Sequence, residues 1–216
     1  MHQPDFERAR QYALERLERD LSPALTYHCL AHTRDDVVPA AERLAALEGV
    51  TGESLLLLRT AALFHDIGFV EQRADHETIG VRIAREVLPR FGYSPAHIKA
   101  IGGMILTTKL PQSPHTLLEE ILADADLDVL GRDDFLVRSQ DLQAELAAFG
   151  MPMSDEQWFG GQLEFMQAHR YFTVAARTLR DTMKQKNIEA LLSLNADLVM
   201  TDSREAPFGG HRCRAG

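Results

Sequence analysis

From Phe6 to Val199 the apolar residues of this chain return every three or four positions, and no stretch alternates apolar with polar over the length of a strand. Stripes with that period can be buried only against one another, so the pattern predicts an all-α domain built as a multi-helix bundle. "FERARQYALERLERDL" sets Phe6, Tyr12, Leu14 and Leu17 along one stripe. "SPALTYHCLAHTRDDVVPAAERLAALEG" reads as the next helix, with Ser22 as N-cap, Pro39 as a kink or break and Gly49 as its stop. In "TGESLLLLRTAALFHDIGF" the run of four leucines requires burial on most sides. "DHETIGVRIAREVLPRFG", "SPAHIKAIGGMILTTKLPQ" and "HTLLEEILADADLDVLG" follow, the second opened by Ser94 and Pro95, a good N-cap and first-turn pair. The expectation is a single domain over 1–199 and a disordered tail over 200–216, where Gly, Pro and Arg replace the periodic face.

At 216 residues and 45% hydrophobic content the chain can build one sizeable core. A formal charge of −9 argues against a dedicated nucleic-acid binder, yet permits an anionic substrate wherever a metal or cation reverses the local sign. Cys29 and Cys213 are the only cysteines and are not expected to pair, which fits a reducing cytoplasm. No secretory leader is visible, and the most apolar stretch carries Arg59, His65 and Asp66, so no membrane span is expected.

Chemistry concentrates at His65-Asp66, at the end of the leucine-rich helix. An imidazole and a carboxylate buried there without partners would cost several kcal/mol, roughly, and a divalent metal satisfies both. Three segments offer further ligands. In "YHCLAHTRDD", His28 and His32 are one turn apart and share a face if the stretch is helical. "ADADLDVLG" interrupts an apolar helix with Asp124, Asp126 and Asp128, and His76 opens the helix after the His-Asp pair.

Taken together and in order, "YHCLAHTRDDV", "LFHDIGF" and "ILADADLDVLG" resemble the HD-domain superfamily of metal-dependent phosphohydrolases, over about Leu25 to Leu130. The resemblance implies a helical HD-type bundle in which His32, His65 and Asp66 are metal ligands. The fourth ligand is an aspartate of "DADLD", with Asp126 the better match and Asp124 its competitor. His28 stands where the cyclic-nucleotide phosphodiesterase branch, with its "YHNxxHAxDV" pattern, keeps a proton donor, although Cys29 replaces the Asn. Relatives that hold a second metal use extra histidines; His76 fits the first such position, but "MILTTKL" has none. One metal ion per chain is therefore expected (Mn, Co, Ni, Zn, Fe or Mg), with His76 and Lys109 as substrate contacts.

The activity implied is hydrolysis of a small phosphate ester, a nucleotide by preference, by a phosphomonoesterase or phosphodiesterase. Asp66 would act as ligand and catalytic orienter, and His28 as acid toward the leaving oxygen. The rival readings are a module that senses a nucleotide or metal without turnover, and a di-iron oxygenase. Arg132, Arg138, Arg170 and Arg177 are candidates for the pocket rim, against the default of surface arginines. Asp128 is expected on a solvated helix face. No nucleic-acid or membrane partner is expected, and a homodimer is left open.

Overall fold

The computed structural model describes residues 4–205. Among these residues there is no strand; nine α-helices account for most of the chain. They are α1 (Phe6–Asp20), α2 (Val38–Leu47), α3 (Gly52–Phe64), α4 (His76–Val87), α5 (Pro95–Thr107), α6 (Leu117–Asp126), α7 (Phe135–Ala148), α8 (Asp155–Ala168) and α9 (Val174–Glu205). The expected tail boundary falls inside α9, which continues to Glu205; the rest of that tail, with Cys213, lies outside the described residues.

The leucine-rich helix α3 is the axis of the bundle. Leu57, Leu58, Ala61, Ala62, Leu63 and Phe64 are all buried, because α1, α2, α5 and α6 pack around it. Small residues on several faces let those neighbours approach closely, while each leucine or phenylalanine removed from water contributes roughly 1.5–3 kcal/mol. Helix starts follow the sequence signals. Ser94, Thr116 and Ser154 each form a capping box, accepting from the backbone N–H of the third helical residue while the side chains of those residues, His97, Glu119 and Gln157, reach back to accept from the N–H of the cap.

One helix differs from its sequence reading. Residues 21–29 are irregular, and the helix containing His32 begins only at position 30. Ser22 caps nothing longer than a turn; its Oγ accepts from Ala24 N at 3.3 Å. Pro39 neither kinks nor breaks the helix, but sits in the first turn of α2 directly after a π-helical segment, His32–Val37. A wide turn belongs there on physical grounds, since proline supplies no N–H and its ring crowds the preceding turn. His28 and His32 therefore do not share a helix face. His28 belongs to the irregular segment and reaches the same region by another route.

Candidate metal centre

Four side chains from three places in the fold converge at the end of α3. His32 comes from the π segment before α2, His65 and Asp66 follow α3 directly, and Asp126 is the last residue of α6. His65 is fully buried and Asp66 nearly so. The Nδ1–H of His65 donates to the Ala62 carbonyl at 2.8 Å, which leaves the lone pair on Nε2. That Nε2 lies 3.2 Å from Asp66 Oδ2 and 3.4 Å from Asp126 Oδ1. Nε2 of His32 lies 3.7 Å from Asp66 Oδ2 and 3.4 Å from Asp126 Oδ1.

Three of these four spacings match the edge of a coordination shell whose bonds are about 2.1 Å long, where neighbouring ligand atoms stand roughly 3.0–3.4 Å apart, and the fourth, at 3.7 Å, is slightly wider. Two of the four atoms, His65 Nε2 and Asp66 Oδ2, are buried with no hydrogen-bond partner. Orphaned buried polar atoms are rare and call for a partner of another kind. His32, His65 and Asp66 also present one ligand atom each within 4.8 Å of one another, so the residues present fit a divalent cation.

The electrostatics agree. Burial disfavours a charged His65, but Asp66 and Asp126 outweigh it and lift the imidazole well above its usual pKa. Burial likewise opposes ionisation of Asp126, yet His32 and His65 hold its carboxyl down at about 2. Without an ion, two histidines and two carboxylates attract one another; with one, the carboxylates stay ionised and the imidazoles give up their protons.

The two candidate aspartates of α6 point to different tasks. Asp124 is fully buried and turned away from the cluster. Its Oδ1 accepts from Phe172 N at 2.8 Å, and its Oδ2 from Thr173 N at 2.8 Å and Thr173 Oγ1 at 2.7 Å. Both oxygens are committed to the start of α9, so Asp124 is not placed to ligate. Asp128, expected in solvent, is instead buried between Arg180, at 2.7 Å from both carboxylate oxygens, and Arg43 at 3.1 Å.

A cavity of about 810 Å³ opens over the cluster, within the range of small-ligand sites. His28, Asp66, His76 and Asp126 line one end, and apolar side chains of α7 and α8, including Leu142, Leu146 and Phe165, line the other. His76 Nε2 lies 3.4 Å from Asp66 Oδ1, the oxygen not turned to the cluster. Its approach depends on Gly68, because a Cβ there would lie 1.9 Å from the His76 carbonyl oxygen. Phe69 stacks on both His76 and His28, with ring centroids 3.9 Å and 4.6 Å away, and the two imidazole centroids are 6.4 Å apart.

His28 is held by a residue that sequence reasoning missed. Glu145 of α7, fully buried, accepts from His28 Nδ1 at 2.6 Å and from the backbone N–H groups of Tyr27 and His28, both at 2.9 Å. Nothing in "LQAELAAFG" marks this glutamate off from a solvated one. Lys109 lines the cavity but is half-exposed and paired with Asp75 at 2.5 Å. Of the anticipated rim arginines, Arg138 lines the cavity while Arg132, Arg170 and Arg177 do not, and all four already have partners. Arg132 binds Asp36 and Asp134, Arg138 binds Asp141, and Arg170 and Arg177 donate to backbone carbonyls. Asp36 in turn stands 4.0 Å from His32 Nδ1, behind the cluster.

Helices enclosing buried histidines and aspartates around one small cavity define a class of domain, and the comparisons give it a name. Residues 35–128 match the family model of the HD domain, and this segment of the chain is an HD domain. The match includes His65, Asp66, Asp124 and Asp126; His28 and His32 precede it, and Glu145 follows it. Among solved structures, the chain is similar to a predicted HD superfamily hydrolase from an uncultured Thermotogales bacterium. That pair is 22% identical over 94% of each chain, with a TM-score of 0.55. It is also similar to Bacillus subtilis YpgQ, solved in complex with ADP, at 18% identity over 89% of this chain and 97% of that one, with a TM-score of 0.62. At such identities the likeness establishes the shared fold. No curated protein matches the sequence. No helix among the described residues is long and apolar enough to cross a membrane.

Proposed function

We propose that the protein is a metal-dependent phosphohydrolase acting on a phosphate ester of a small molecule, with a nucleotide as the favoured substrate. The observation that carries this reading is the pair of orphaned buried atoms, His65 Nε2 and Asp66 Oδ2, facing His32 and Asp126 at the floor of a cavity. His32, His65, Asp66 and Asp126 would hold one divalent ion. Such an ion supplies Lewis acidity toward a phosphoryl oxygen and acidifies water.

The chain's own residues supply the remaining steps. Asp66 faces the cluster with Oδ2 and His76 with Oδ1, so it can orient an attacking water in line with the His76 imidazole. The His28 ring is fixed through Nδ1 by Glu145; as imidazolium it would carry a second proton on Nε2 and could give that one to the leaving oxygen. Phe69 packs against both imidazoles, which face each other at 6.4 Å between ring centroids, and so supports their positions at the cavity wall. The apolar end of the cavity suits a base or another unsaturated leaving group, and YpgQ, of similar fold, was solved with ADP. Asp124 and Lys109 take no part in this scheme.

Metal content by mass spectrometry, on protein purified without chelator or affinity histidines, tests the site alongside a phosphate-release screen over nucleotides and sugar phosphates. About one ion per chain and metal-dependent turnover are expected, both lost in Asp66→Ala. An ion bound with tight nucleotide binding but no product would move the chain to the sensing class. Failure to bind Mn²⁺, Co²⁺, Ni²⁺ or Zn²⁺ would remove the proposal.

A further inference from the structure

One cation in the cavity wall has no acidic neighbour. Lys109 is neutralised by Asp75 at 2.5 Å and Arg138 by Asp141 at 2.8 Å. Arg73, on the loop between α3 and α4, lines the same cavity without a carboxylate partner among the described residues. Its Nη1 lies 3.9 Å from the Met151 sulfur, and its guanidinium carbon 6.0 Å from the centre of the Phe149 ring. Its Nε is buried and has no hydrogen-bond partner. A buried guanidinium N–H left unpaired is unfavourable, and an acceptor that drew the guanidinium further into the cavity would relieve it. The loop is not free to swing elsewhere, because the Arg73 carbonyl accepts from His76 Nδ1 at 3.2 Å.

Arg73 leans on the α7–α8 corner and makes no ion pair with Asp66 or Asp126. On the function proposed above, a reacting phosphoryl group at the His-Asp cluster would have the ion held there, His28 and His76 around it. A planar guanidinium outside that group and inside the same cavity suits the oxygens of a different phosphate, which it can grip through two parallel N–H bonds.

We infer that Arg73 holds a phosphate other than the one attacked, so that the preferred ligands are nucleoside di- or triphosphates and not monophosphates. This rests on the function proposed above, in that it takes the His-Asp cluster to be the reacting end. Phe149 and Met151 give the guanidinium a fixed seat at the cavity wall, which lowers the ordering cost of gripping the ligand.

Titration calorimetry with ADP, AMP and adenosine, on metal-loaded wild type, Arg73→Ala and Arg73→Lys, tests it, with circular dichroism confirming that the variants fold. Wild type is expected to bind ADP well above AMP. Arg73→Ala should weaken ADP by roughly 10–100-fold and AMP by no more than about twofold, with Arg73→Lys between. Equal binding of ADP and AMP by wild type, equal losses for both in Arg73→Ala, or no binding of ADP would each overturn the inference. Phosphate release measured in parallel separates the two proposals. An ADP preference lost in Arg73→Ala without any turnover keeps this inference and removes the hydrolase. Turnover with the preference intact in Arg73→Ala does the reverse.

Discussion

His28 and Glu145, 117 residues apart in sequence, meet at 2.6 Å, with the glutamate fully buried and the imidazole at the cavity wall. Burial pushes the pKa of that carboxyl up, but the His28 ring and the N–H groups of Tyr27 and His28 outweigh it and hold it below its ordinary value. An ionised Glu145 holds the Nδ1–H of His28 and fixes where the ring, and with it Nε2, points.

Glu145→Gln is therefore expected to lower kcat by about 10–100-fold with little change in KM, and His28→Asn by about 100-fold or more. Because the two act as one unit, the double variant should be no slower than His28→Asn alone. Steady-state kinetics on the three variants decides this, and fully additive losses would mean that Glu145 works through something other than His28.

Asp124 and Asp126 should separate cleanly under substitution. Asp126→Asn is expected to lose most of the bound metal with a normal helical spectrum. Asp124→Asn should keep about one ion per chain and lose about 3 kcal/mol of stability, because three donors around a buried carboxylate are left poorly matched. Metal analysis and urea melts on both proteins check the assignment; metal lost only from the Asp124 variant would reverse it.

Gly68→Ala brings a Cβ to 1.9 Å from the His76 carbonyl oxygen, and neither backbone can yield without parting α4 from the turn after α3. A loss of more than about 3 kcal/mol is expected in denaturant melts. Wild-type stability in this variant would show that the approach of His76 to Asp66 is not set there.

Lys184, on α9 and outside the His-Asp cluster, gives a pH test of stability. It is nearly buried, its Nζ donates to the His169 carbonyl at 2.6 Å, and burial, helped by Arg170, draws its pKa from 10.5 to about 8. Between those values the unfolded chain holds more protons than the folded one, so this group makes stability rise with pH across that window. Wild type should gain on Lys184→Met as the pH is taken from about 7.5 to about 9.5 in urea melts. A parallel response in the two proteins would rule the effect out.

Much of this was legible in the sequence, and the gaps have physical reasons. Local signals wrote the helices: Ser94-Pro95 opens α5 and Thr116 with Glu119 opens α6, as capping chemistry requires. His32, His65, Asp66 and Asp126 stand out because imidazoles and carboxylates interrupt apolar runs. The separate role of Asp124 was not legible, since periodicity cannot say what a buried carboxylate meets 48 residues later. Glu145 and Arg73 carry no local mark at all; their partners are set by tertiary approach. The irregular path of residues 21–29 was hidden because apolar residues at helical spacing need not be helical when a buried carboxylate takes their N–H groups.

The short stretch from Asp124 to Asp126 faces two ways: one carboxylate anchors the entry to α9, the other looks onto His32 and His65. The end of α6 is thus a hinge pin shared by the HD segment and the C-terminal helices. A chain cut soon after residue 128 would expose the clamp on α9 and remove the α7 and α8 walls in one stroke. The C-terminal third is thereby part of the machine, and variation in α8 or α9, remote as it looks, has a direct mechanical line to the ligand shell.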